Sequence, residues 1–574
     1  RIAQLGYNLV RIHHHDSAWV VPNIFGGKGA GTRRLDPESL AKLDWWIKCL
    51  KDEGIYIWLD MHVSRPFQDE DGVTEGMSEI VANRRLGTGF SYFNRQIQDR
   101  MKELQEAYVS HVNPHTGLAY KDDPAVAAVL LTNENDLTHH YGNLFLPDKN
   151  RPIHGAIFNR ESKAFAAASG LPADKVGRSW EPGPGKYFLN DVEHRFNEAL
   201  IASLRGVGYK GLIATTNYWG DSPMLTLPAL TDGGVIDVHS YGKAEALGAN
   251  PRYESNFLSK IAAAQVAGKP LTITEWNVPH PIEDRVVGPL YTAAIAALQG
   301  WDAPMIYNYS QAAFIREPKG PIDWSTYIDP ALTGVTPAAA LLFRRGHVAP
   351  ASKTYYLDLT PAQLLGRSLS ADTGAAIRTL AEQSKLTVGL PAVPELPWLK
   401  PTTPPAGAIV LDDPDRDMLP EGAESVRSDT GELTRDWKRG IQIVDTSRTQ
   451  AVQGWIGGEA LATADARFEI QTKKAAVILS SVDDLPLSQS RFVLITAVAR
   501  AVADPSKKTA FLSEPVVGSI VLKTEAADLE LMALAADGRV AGRARPAASG
   551  DGLRIDIPAA GGTHWYVLKA RAAE

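Results

Sequence analysis

The sequence predicts an α/β domain of the (β/α)8 barrel type followed by an all-β sandwich, and three observations carry that prediction. Over the first half, short apolar strands alternate with amphipathic helices, the pattern of a parallel sheet covered by helices. That alternation stops near Gly346. Beyond a proline-rich stretch the chain turns into short strands spaced by Gly, Asp and Pro turns, as a β-sandwich requires.

The strand candidates of the first part are "NLVRIH", "IYIWLDMH", "AVAAVLLTNE", "GLIATTN", "VIDVHSY", "LTITEW" and "PMIYNYS". Among the helices, one starts with Asp36 as N-cap and Pro37 in its first turn, presents Leu40, Leu43, Ile47 and Leu50 on one face, and ends at Gly54. "FNRQIQDRMKELQEAYVSHV" and "FLNDVEHRFNEALIASLRGVGYKG" are further helices. Seven strands are one short of a closed barrel, and the helix remnant "RIAQLGY" suggests that the missing first strand lies upstream. Seven strands also permit an open doubly wound sheet, although no glycine-rich nucleotide turn supports it.

These patterns divide the chain into a barrel over 1–346, a connecting segment with the stiff linker "LPWLKPTTPPAG" over 347–405, and a sandwich over 406–574. In the sandwich, "IQIVDTS", "ARFEIQT", "AAVILSSV", "RFVLITAVA", "GSIVLKT" and "HWYVLKA" are strands, and a structural buttress is the favoured role. With 574 residues the chain has room for two or three cores. A net charge of −7 without a long basic run argues against nucleic acid as partner. No apolar run is long enough to span a membrane, and the lone Cys49 excludes an internal disulfide. A start at "RIAQLGYN", without methionine, reads as a fragment or a processed product, so localisation stays open, with extracellular or periplasmic favoured. Oligomeric state is not legible.

Barrel sites form where strands end, and two strands end in acids. "VLLTNEND" finishes with Asn133-Glu134, and "LTITEWNV" with Glu275-Trp276. An acid at a strand end is desolvated at a cost unless it has partners or a task. Two such acids facing each other suit glycosidic hydrolysis, which needs one protonated and one ionised carboxyl.

The ordered set "VRIHHHD", "LDMH", "TNEND", "DVHSYG" and "TITEWN" resembles clan A glycoside hydrolases, nearest to family 5, the cellulase family, in its large multidomain type with a C-terminal β domain. The resemblance covers roughly residues 1 to 350, and "DTGELTRDWKRGIQIVDTSRTQAVQGW" is similar to the appended domain of β-galactosidase- and agarase-like enzymes. It implies Glu134 as acid/base, Glu275 as nucleophile, and Asn133 as hydrogen-bonding partner of the sugar 2-hydroxyl. Arg11 would hold the nucleophile ionised, His62 matches the third-strand histidine, and His239 with Tyr241 matches the sixth-strand pair. The eighth strand departs from the family: Tyr307 and Tyr309 replace its tryptophan, with Trp324 a substitute from the following loop. Trp19, Trp219, Trp276 and Tyr187 offer faces for stacking on sugar rings, while Asp16 and His139-His140 read as rim or solvent residues.

His13-x-His15 invites a metal reading, but a metal-dependent barrel hydrolase needs more histidines and an aspartate on later strands. The fifth strand offers no histidine and the eighth no aspartate. Alternation turns Arg11 and His13 the same way, so His13 is expected to line the substrate cleft. The sequence thus predicts a retaining β-glycosidase on a poly- or oligosaccharide, without metal or cofactor. A metal-dependent hydrolase using the strand-end histidines, or a non-catalytic carbohydrate-binding barrel, are the alternatives.

Overall fold

The computed structural model describes residues 1–27, 31–242, 245–310, 318–322, 324–550, 552–559 and 561–571. The barrel strands are β1 (Leu9–Ile12), β2 (Tyr56–His62), β3 (Val126–Thr132), β4 (Leu212–Ala214), β5 (Asn217–Trp219), β6 (Ile236–Tyr241), β7 (Leu271–Asn277) and β8 (Asp302–Ile306). They form two parallel four-stranded sheets, in the orders β1-β2-β3-β4 and β5-β6-β7-β8. The segment expected as one fifth strand is broken at Thr215-Thr216, so β4 pairs with β3 and β5 with β6.

The strands curve round one interior. Leu9 of β1, Trp58 of β2, Leu130 of β3, Ala214 of β4 and Met305 of β8 meet in a single cluster, which fits a barrel and not a flat open sheet. Among the described residues β1 and β8 are outer strands of their sheets, and no ladder joins them. Between them a cavity of about 1700 Å³ runs from Tyr7, Asn8 and Ala303 at one end to His13, His14 and Tyr307 at the other. Where the sequence predicts seven strands, the structure has seven strand positions, β4 and β5 sharing one.

The expected first helix is α1 (Pro37–Asp52), with Asp36 capping Ser39 N. Helices α2 (Arg95–Ser110), α3 (Pro184–Gly206), α4 (Phe257–Ala262) and α5 (Gly288–Gln299) cover the sheet as well. Their buried faces join two large apolar clusters, one per half of the barrel. Among the described residues no helix is long and apolar enough to cross a membrane.

The segment 347–405 is not a free linker. It carries strands Thr354–Leu357 and Lys385–Val388, and Leu390, Leu396 and Leu399 are buried in the same cluster as the β6 and β7 side chains. Trp398 stacks on His194 of α3 with centroids 4.1 Å apart. Burial of these leucines, each contributing roughly 1.5–3 kcal/mol, outweighs the stiffness that suggested a spacer.

The C-terminal region is an antiparallel sandwich of a nine-stranded and a five-stranded sheet around its own core. It packs on the barrel through buried polar pairs. Arg435 grips Glu382 and also donates to Leu247 O, while Arg285 pairs with Asp329 and donates to Ala501 O.

Candidate active site

Glu134 follows β3 in a left-handed conformation, φ 45°, which a residue with a side chain adopts only when its surroundings impose it. Three contacts do so. Asn133 N donates to His62 O at 2.9 Å, Glu134 N to Asn217 Oδ1 at 2.7 Å, and Asn135 N to Thr216 Oγ1 at 3.0 Å. The break between β4 and β5 thus supplies two of the three groups that hold the acid in place.

Glu275 is aimed by a bulge. Asp237 pairs with Thr272 and His239 with Glu275, while Ile273 pairs with Pro304 and Trp276 with Ile306. Against β6, β7 therefore carries one extra residue between Thr272 and Glu275, while against β8 the shift after Ile273 cancels an opposite one before it, and Thr274 and Glu275 both reach inward-facing partners. Past the bulge, Trp276 faces out and packs on Phe257 of α4. The sequence had placed Trp276 among the sugar-binding residues; the bulge moves it into the core.

An oxygen of Glu134 and one of Glu275 lie within 4.8 Å of each other, with His239 between them. Arg11 donates to Glu275 Oε1 at 2.7 Å, to Asn133 Oδ1 at 2.6 Å, and to both oxygens of Asp60. Tyr241 Oη donates to Glu275 Oε2. His13 lies 2.5 Å from Asp60 Oδ2 through Nδ1 and 3.5 Å from Glu275 Oε1 through Nε2. Arg11 and His13 therefore share partners, as their alternation on the strand requires.

Asp60 escaped the sequence reading although it lies within "LDMH". It is fully buried. Burial pushes its carboxyl up, but Arg11 and His13 outweigh burial and hold it well below the usual carboxylate range. Arg11 in turn is raised, the charges of Asp60 and Glu275 overcoming its own burial. The available signal was an aspartate inside an apolar strand beside one that carries an arginine.

Glu134 is pushed up by burial, against the pull of Arg11 and His140. His239 is lowered, chiefly by burial, and His13 well below its ordinary value for the same reason. Tyr241 is raised by burial and by Glu275.

The remaining expected residues divide. Tyr307 stands at the site, edge-on to His13 at 5.7 Å, and Trp324 packs edge-on to Tyr241 at 4.9 Å. Tyr309 lies further along, beside Tyr327. Trp219 is partly exposed and packs at a tilt against His140, centroids 3.9 Å apart, so of the expected rim or solvent setting His140 has the rim. Trp19 is exposed on the rim beside His14. Asp16 is buried and accepts from Val63 N and Ser64 N. His62 is buried away from the carboxylates, lining a separate cavity of about 30 Å³ with Arg65, Phe67 and Met101. Tyr187 packs against the barrel's apolar cluster.

Glu134, His239 and Glu275 are also the right types to hold a cation. The Arg11 guanidinium, 2.7 Å from Glu275, opposes a dication there. His13, His14 and His15 do not converge: His15 turns to Tyr108, and His14 to Ser17.

No protein-family model matches the chain, and no curated protein matches it in sequence. Solved structures do. A GH5_18 protein from Streptomyces cattleya aligns at TM-score 0.42 and 10% identity, over 67% of this chain and 86% of its own. The endo-β-1,4-mannanase of Thermotoga petrophila aligns at TM-score 0.39 and 15% identity, over 62% and 76%. A GH5_18 protein from Bifidobacterium longum subsp. infantis gives 0.38 and 12%, over 67% and 84%. The solved proteins to which this chain is similar are thus family 5 proteins and a mannanase, at low identity and low TM-score.

Proposed function

We propose that the chain is a retaining β-glycoside hydrolase acting on a poly- or oligosaccharide. The observation that carries the reading is the pair Glu134 and Glu275, within 4.8 Å of each other and set in opposite surroundings. Retaining enzymes hold their carboxyls ~5 Å apart, whereas inverting ones need above ~6.5 Å to admit a water.

Glu275, held by Arg11 and Tyr241, attacks the anomeric carbon. Glu134, whose pKa burial raises, gives its proton to the departing oxygen, and the C–O bond breaks as the glycosyl–Glu275 ester forms. Glu134, now ionised, takes a proton from water, which releases the sugar with net retention. Asn133, fixed by Arg11, faces the same space and offers its amide to a sugar hydroxyl.

The test is a panel of dinitrophenyl β-glycosides (glucoside, mannoside, galactoside, xyloside) with wild type, Glu275→Ala and Glu134→Ala, with and without EDTA. Chelator-insensitive turnover lost in Glu275→Ala, and restored by azide in Glu134→Ala, is the expected result. Turnover that survives Glu275→Ala overturns the reading.

A further inference from the structure

Lys474 belongs to the sandwich, immediately before its strand Ala475–Ser481, yet both of its ionic partners belong to the barrel. Its side chain is 1% exposed. The ammonium group contacts Asp284 Oδ1 and lies 3.1 Å from Glu245 Oε1. Trp455 of the sandwich lies against it, ring centroid 4.6 Å away, and Trp455 Nε1 donates to Glu245 Oε2.

The two carboxylates sit on different loops. Glu245 follows β6, four residues after Tyr241, and Asp284 follows β7, nine residues after Glu275. Asp284 is buried, and its second oxygen has no hydrogen-bond partner, so Lys474 is the main compensation for its charge. The hairpin 501–513 and the residue before it grip the same β7 loop: Arg500 pairs with Glu283, and Phe511 packs on His280 and under the Arg285 guanidinium.

We propose that the sandwich is part of the catalytic scaffold, with Lys474 as a positioning residue that fixes the β6 loop to the β7 loop and so sets Tyr241 against Glu275. The kinetic part rests on the glycosidase reading; the positioning itself does not. The bridge is asymmetric: Asp284 is buried and depends on Lys474, whereas the Glu245 side chain is half exposed, so the ammonium anchors the β7 loop firmly and holds the β6 loop to it through Glu245 and Trp455.

The test uses the full chain with Lys474→Met, which keeps the stem packing and removes the charge, and Lys474→Arg, which keeps the charge. Hydrogen exchange is read on peptides covering 245–250 and 278–287. In Lys474→Met, exchange in both segments is expected to rise about tenfold while the sandwich strands stay protected. In the same variant kcat should fall about tenfold with KM within a factor of two, and Lys474→Arg should restore most of both. Wild-type exchange in both segments of a folded Lys474→Met protein overturns the proposal, as does a rise spread evenly over the chain. If Lys474→Met does not fold, Asp284→Asn removes the partner charge and is read by the same two segments. If wild type turns over no glycoside, the hydrolase reading falls while the exchange result still decides the role of Lys474.

Discussion

His239 Nδ1 stands 2.7 Å from Glu134 Oε1, and the same nitrogen is 3.4 Å from Glu275 Oε2. On its other side Nε2 meets Thr274 Oγ1 at 2.9 Å, and that hydroxyl donates to Asp237 at 2.5 Å. A Thr274 hydroxyl that donates to Asp237 accepts from His239 and puts the imidazole proton on Nε2, and this contact outweighs the longer approach of Arg11 Nη1, 3.5 Å from the same nitrogen, which calls for a lone pair there. Nδ1 is then an acceptor, and the proton of Glu134 is what it accepts.

His239→Leu removes that acceptor from the acid form of Glu134. The alkaline limb of kcat/KM, set by loss of the Glu134 proton, should move to lower pH, with kcat down about 10- to 100-fold. A limb moving to higher pH would mean that Nδ1 donates, and would reverse the tautomer.

In the wild type that limb should lie above the ordinary glutamate value of about 4.3, because burial raises Glu134. Activity is therefore present below the raised value and fades as pH climbs through it. A pH profile of kcat/KM on an activated glycoside measures this, and a limb at the ordinary value would count against Glu134 as acid.

Asp60→Asn removes one of the two anions that Arg11 and His13 share and leaves Glu275 as the other, at a cost of about 3 kcal/mol by denaturant unfolding. The sign of the pH dependence follows from the depressed carboxyl. Its stabilisation is complete above the unfolded aspartate value of about 3.9 and drains away as pH falls towards the folded one. The stability gap between wild type and Asp60→Asn should narrow through that acid range.

Two tryptophans with similar sequence credentials should separate. Trp276→Ala, which empties a core site against Phe257, should cost about 3–5 kcal/mol of stability. Trp219→Ala, at a partly exposed face, should keep the melting temperature and raise KM about tenfold.

The parallel strands were legible because buried strands are nearly continuous apolar runs, and Glu134 and Glu275 because acids at the ends of such runs stand out. What was not legible depends on partners distant in the chain. Asp60 gains its meaning from Arg11, 49 residues away. The bulge leaves no mark in "LTITEWN", since an inserted residue shows only against the register of β6. Thr215 and Thr216 are good strand residues, so the break that frees Asn217 for Glu134 reads as unbroken strand. Proline in 396–405 suggested a spacer, and only the packed structure shows its leucines covered.

β1 is laddered to β2 and carries the residue that reaches Asp60, Asn133 and Glu275 together. Arg11 is thus a tether as well as a charge: through it, one short strand is tied to β2, to the end of β3 and to β7. In this chain the acid that the arginine serves is also one of the stays that keep the arginine's own strand in place.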